Sequence, residues 1–150
     1  MKYSLLVIIL FSVFISKAQK MDNDKLTKIY SAFSDSINGE EGYWQLYKDG
    51  HALISISDKA NDRMRIIMPI VEIENIKMIN LQEALEANFH TALDVKYAIS
   101  DDIMWSIFVH PLKALSEEQV EDALKQVFYA ALTFGGSYSS TNLVFPSGDE

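Results

Sequence analysis

The dipeptide Asp49-Gly50 constrains this chain more than any other feature of its sequence. A two-residue hairpin turn needs positive φ, which Asp tolerates and Gly favours, and its twist matches that of two paired strands. Residues 43–48 before it read YWQLYK, an aromatic-rich strand. Residues 51–57 after it alternate Ala52, Ile54 and Ile56 with Leu53, Ser55 and Ser57, the period-2 signature of a return strand. Past the polar stretch 58–62, a third run over 63–73 sets Met64, Ile66, Met68 and Ile70 on one face. Pro69 has no N–H to give a ladder, so this strand is expected at a sheet edge or bulged there. A second hairpin is expected from strands 95–99 and 103–109 around the short turn Ser100-Asp101-Asp102, with Pro111 as the stop. Strands that follow strands pair antiparallel, and their apolar faces need helices to cover them.

The helical signals supply that cover. Leu26, Ile29, Tyr30, Phe33 and Ile37 form one stripe at helical spacing over 24–37, closed by Gly39 and Gly42. Asn80 and Glu83 have the spacing of a capping box, ahead of a helix whose apolar face is Leu81, Ala84, Leu85, Phe89 and Ala92. Ser116 and Gln119 repeat that spacing ahead of a last helix to about 134. Its stripe is Val120, Ala123, Leu124, Val127, Phe128, Ala131 and Leu132, and Gly135-Gly136 ends it. The expectation is an α+β domain over 19–136, with an antiparallel sheet of about five strands in the order α-β-β-β-α-β-β-α. A tail, 137–150, is expected to dock as an extra strand or stay loose.

The first 18 residues read as a signal peptide. Lys2 gives a positive start, and LLVIILFSVFI follows over 5–15. Eleven helical residues rise ~16 Å, about half of the ~30 Å a membrane core demands. Ser16 and Ala18 are small residues at −3 and −1 of a cut before Gln19. Export, to the periplasm or outside the cell, is therefore expected. With no cysteine in the chain there is no lipid-modified anchor, no disulfide and no thiol chemistry, so stability rests on the core.

Removing Lys2 and Lys17 takes the 13 basic residues to 11 against 21 acidic ones, and the formal charge from −8 to −10. That field repels nucleic acid and anionic lipid. Basic or apolar protein partners suit it better. No motif calls for a cofactor or a metal: His51, His90 and His110 are far apart, and the only glycine pair follows a helix rather than opening one. Glu40-Glu41 and Asp101-Asp102 fall in turns, and Asp58 and Asp62 lack the spacing of a calcium loop. Tyr43, Trp44, Tyr47, Trp105 and Phe108 are candidates for a binding surface, against which stands core packing, the commoner fate of aromatics on strands.

The strand over 103–109 is apolar on both faces. Ile103, Trp105, Ile107 and Val109 alternate with Met104, Ser106 and Phe108. A sheet with one wet face alternates more cleanly. Either helices cover both sides of this strand, or a second subunit or client segment closes one of them through Met104 and Phe108.

From 24 to about 134 the chain resembles the type III secretion chaperone-like fold, including the YbjN-like and Tir-chaperone-like families. The resemblance is carried by LQEALEANFHTALDVKYAISDDIMWSIFVHPLKALSEEQVEDALKQVFYAA. In it a helix with LEAN leads to a strand, a tight acidic turn, a strand with Trp105, and a capped helix after LS. The resemblance implies no enzymatic activity and a small acidic homodimer. It also implies that an extended protein segment binds along apolar patches and sheet edges. The leader departs from that pattern, since those chaperones carry none. The expected function is a non-enzymatic exported protein-interaction domain, with a protein partner or a second copy as its ligand. Two alternatives stand beside it. One is a small-molecule binder or hydrolase built from distant residues, His110, Tyr97, Asp101 and Asp102. The other is a scaffold subunit of an envelope complex.

Overall fold

The computed structural model describes residues 20–143. The leader reading lies outside the described residues, as does the end of the tail. Three helices and six strands follow one another: α1 Asn23–Phe33, β1 Ser36–Glu40, β2 Tyr43–Lys48, β3 His51–Asp58, β4 Arg63–Glu72, α2 Met78–His90, β5 Lys96–Ser100, β6 Ile103–His110 and α3 Glu117–Thr133. The strands form one antiparallel sheet in the spatial order β1-β2-β3-β4-β6-β5. The α+β class and its antiparallel sheet are as expected. The sixth strand, β1, is an addition. The helical stripe stops at Phe33, because Ser34 closes α1 in an extended conformation and Ile37 pairs with Leu46 instead. Gly39, at φ 115°, lets β1 run close to β2; a Cβ there would sit 2.4 Å from the Tyr43 carbonyl oxygen.

The turns behave as their residues dictate. Asp49 and Gly50 take φ 49° and 78°, and Asp101 and Asp102 take 51° and 58°, so both hairpins turn through the left-handed region. Pro69 sits at a register shift between β4 and β6, which makes it a bulge inside the sheet rather than an edge. Asp58 and Asp62 serve their loops. Asp58 accepts hydrogen bonds from Asn61, which hold its carboxyl below the usual carboxylate range. Asp62 accepts the Lys113 amide.

All three helices lie on one side of the sheet. The strand residues facing them are the buried ones: Trp44, Leu46, Leu53, Ser55, Met64, Ile66, Met68, Tyr97, Met104, Ser106 and Phe108. Tyr30 of α1 is fully buried, packs edge-on against Trp44 and meets the Ser55 hydroxyl at 2.6 Å. From α3, the Val127 carbonyl accepts the Ser106 hydroxyl at 2.9 Å. The box at Ser116 and Gln119 forms as expected.

The capping box at Asn80 and Glu83 does not form, since α2 already begins at Met78. Both side chains instead hold Tyr138. Asn80 donates to its hydroxyl at 3.0 Å, and that hydroxyl donates to Glu83 at 2.8 Å. The first part of the tail is thereby docked, as a clip rather than a strand. Tyr138 and Ser140 are buried, and Ser140 hydrogen-bonds the Ala92 carbonyl.

Candidate protein-binding surfaces

Period-2 alternation gives each strand of this sheet two sides, and only one is covered by helices. Register places the uncovered residues in rows. One row reads Gln45, Ile54, Ile67, Ile107 and Lys96 across five strands. A second reads Tyr43, Ile56, Arg65 and Val109, and a third reads Pro69, Trp105 and Ala98. The centre of this face is isoleucine, tryptophan and valine, where a wetted sheet face would carry polar side chains. Val109 is 54% exposed, and Tyr43 and Tyr47 are open at the margin, bridged by Gln45.

This geometry relocates the residues chosen from sequence. Met104 and Phe108 are 3% and 6% exposed, on the helix-covered side. Their row is core, and the free row of β6 is the other one, Ile103, Trp105, Ile107 and Val109. Both sides of the strand were legible as apolar; which side the helices take is set by residues distant in the chain, among them Val127 of α3, whose carbonyl accepts the Ser106 hydroxyl.

The two outer edges of the sheet are unequal. At β5, the Asn88 side chain of α2 accepts the Tyr97 amide at 2.7 Å and donates to the Tyr97 carbonyl at 3.2 Å. A side-chain amide thus stands where a neighbouring strand would pair, a common way to blunt an edge. On β1 the one such contact among the described residues is local, the Gly39 amide donating to the Asn38 side chain at 2.9 Å, and four of its five residues are exposed.

A second apolar surface lies on α2. Its buried residues are only Ala84 and Ala87. Leu85 and Phe89, expected in the core, are 69% and 84% exposed, and Met78 is 79% exposed. Beside them a cleft of about 420 Å³ runs between α2 and β5, lined by Leu81, Leu85, Tyr97, Ile99 and Met104 among others. The cause is the polar fastening of α2. Asn88 holds the Tyr97 backbone while Asn80 and Glu83 hold Tyr138, and these ties set the helix rotation.

The four residues considered for a small-molecule site do not converge. Asp101 and Asp102 form the turn before β6, and His110 ends that strand, ~25 Å away at ~3.3 Å per residue. Tyr97 is in the core, where its hydroxyl donates to the Ala130 carbonyl at 2.8 Å and burial pushes it up to about 12. The His110 ring stacks on Phe108, and its Nδ1 donates to the Pro111 carbonyl. The described residues hold no group of His, Asp and Glu able to bind a metal ion. None of their helices is long and apolar enough to cross a membrane.

Comparison with solved structures decides the fold. The chain matches the HopA1-SchA chaperone–effector complex with a TM-score of 0.56 at 14% identity, over 75% of this chain and 94% of that one. It has the type III secretion chaperone-like fold. A second match is the Yersinia pestis type III secretion chaperone SycH in complex with a stable fragment of YscM2, with a TM-score of 0.56 at 15% identity, over 75% and 98% of the two chains. No family model and no curated protein matches the sequence. At such identities the backbone plan of a chaperone-like domain is what is shared, and the surfaces above are particular to this chain.

Proposed function

We propose that this chain is a non-enzymatic, exported protein-interaction domain that holds an extended, apolar segment of a partner protein against the open face of its sheet. The carrying observation is the apolar centre of that face, Ile54, Ile67, Trp105, Ile107 and Val109, which no helix of the described chain covers. A two-layer domain that keeps a second apolar side has surface to give to a partner. β1, whose outer edge no other element caps among the described residues, offers main-chain hydrogen bonds to a segment lying along it. The neighbours with this fold are described as chaperones, one of them in a chaperone–effector complex, which supports the same reading. The leader sequence supports export, and it argues for a partner in the envelope or outside the cell.

Capture from an envelope fraction tests this directly. The wild-type protein should retain a specific protein, and Ile107→Glu should lose it, because a carboxylate on that face opposes apolar burial. The thermal midpoint should stay near that of the wild type. Capture that is indifferent to charge at Ile107 sinks the assignment. N-terminal sequencing of the purified protein tests export, with Gln19 as the expected first residue.

A further inference from the structure

The open face of the sheet carries charge as well as apolar surface. The chain has two arginines, Arg63 and Arg65, and both stand on that face, since side chains two apart on a strand share a side. Arg65 is exposed and set opposite Ile56 of β3 and Val109 of β6, with Ile67 next along β4, so apolar side chains flank it on three sides. Among the described residues its guanidinium meets no carboxylate, the ion pairs being Lys48–Asp49 and Lys59–Glu41. Two acids share this end of the face, and neither neutralises Arg65. Asp58, opposite Arg63, accepts hydrogen bonds from Asn61. Glu40 ends the row of Arg65 on β1, three strands away, ~14 Å at ~4.8 Å per strand.

A segment that lies on Ile54, Ile67 and Ile107 also covers Arg65. A guanidinium covered without a partner loses its water and gains nothing in exchange, whereas a carboxylate meets it with two parallel hydrogen bonds. We propose that the segment held on the open face is an apolar run with a carboxylate side chain toward one end, and that Arg65 pairs with this carboxylate and sets the register of the segment. The assignment rests on the client role of this face and names the chemistry of the client. It also reverses locally what the net charge suggests: the chain as a whole favours basic partners, while the field at Arg63 and Arg65 favours an acid. The other end of the face fixes the direction. Glu72 lies opposite Ile103, and with Glu74, Asp101 and Asp102 it surrounds a hollow of about 530 Å³. A carboxylate is repelled there and attracted at Arg65. Extended chains packed on a sheet run within ~30° of its strands. Arg65 and Glu72 are seven residues apart on β4, ~23 Å at ~3.3 Å each, so the segment spans about seven residues with its acid at the Arg65 end.

Three synthetic peptides sharing one apolar stretch of about seven residues test this. One ends in glutamate, one in glutamine and one in lysine, all with acetylated and amidated termini so that no terminal charge intrudes. In fluorescence anisotropy the wild type should bind the glutamate peptide at least ~10-fold more tightly than the glutamine peptide, and the lysine peptide most weakly. Arg65→Glu should put the lysine peptide first, and Arg65→Gln should bind the glutamate and glutamine peptides alike. Both variants should melt near the wild type, because Arg65 has no ion pair to lose. An order of affinities that Arg65→Glu leaves unchanged overturns the pairing. Equal affinities that Ile107→Glu abolishes also overturn it, and they leave the face as the binding surface. Affinities that Ile107→Glu leaves intact remove the face itself. No binding at high micromolar concentration overturns the client chemistry, while envelope capture that still depends on Ile107 keeps the client role. A wild-type dimer that Ile107→Glu dissolves gives the face to a second copy and overturns the assignment.

Discussion

Asn88 carries more of this fold than its position suggests, and replacing it measures how much. Its side chain closes the Tyr97 amide and carbonyl at 2.7 and 3.2 Å, the only side-chain cap on the β5 edge among the described residues. Each such bond is worth ~0.5–1.5 kcal/mol net, and water can reach a half-buried edge, so the pair contributes ~1–2 kcal/mol. Alanine adds back about 0.5 kcal/mol of helix propensity, which leaves Asn88→Ala ~0.5–1.5 kcal/mol less stable. For a domain of this size that lowers the thermal midpoint by ~2–6 °C, at ~4 °C per kcal/mol. Asn88→Asp is the sharper variant. It keeps an acceptor for the Tyr97 amide but turns a carboxylate oxygen toward the Tyr97 carbonyl, so it should cost at least as much despite being nearly isosteric. Calorimetry reads the midpoint, and hydrogen exchange should lose protection at the Tyr97 amide in Asn88→Ala. Both variants should also aggregate faster on heating, because the β5 edge is opened. Midpoints within about 1 °C of wild type, with unchanged protection at Tyr97, would refute the role of Asn88 as the cap of this edge.

Three further outcomes rest on buried hydroxyls and on one strained glycine. Tyr30→Phe removes the buried hydroxyl 2.6 Å from Ser55, and chemical denaturation should register a loss of ~1–2 kcal/mol, since Ser55 retains only the Arg65 carbonyl as a partner. Gly39→Ala, at φ 115° and with its Cβ driven toward the Tyr43 carbonyl, should destabilise by ~1–3 kcal/mol and cost β1 its pairing, visible as lost amide protection over 36–40. Burial raises Tyr30 and Tyr97, the latter to about 12, so the folded state holds both phenols neutral. The unfolded chain ionises them near pH ~10. Their contribution is whole below that pH and is lost as pH rises through 10 to 12, so stability should fall there, and Tyr97→Phe should flatten the fall.

The legible parts of this protein are those governed by neighbouring residues. Asp49-Gly50 and Asp101-Asp102 announce their hairpins because positive φ is a local demand. Pro69 announces a break in the ladder, at an edge or a bulge, because a missing N–H is a local lack, and its central place in the sheet makes it the bulge. Period-2 alternation marks β3 and β4, and the box at Ser116 marks the start of α3. Strand following strand made the antiparallel sheet and the α+β class readable, and that order carried the resemblance to the chaperone-like fold. Orientation was not readable. Periodicity tells that β6 has two apolar sides and that α2 has an apolar stripe. It does not tell which side meets the core, because that choice is made by residues distant in the chain. The helices take the Met104 and Phe108 side of β6, which leaves Trp105 and Ile107 outside. Asn88, Asn80 and Glu83 take partners at Tyr97 and Tyr138, and those polar bonds turn Leu85 and Phe89 to the surface. The sequence alone determined how much apolar surface the elements carry, not whether one core could use all of it. Only tertiary packing decided where the excess lies, because burial is a competition among all elements at once and a pattern belongs to each element singly.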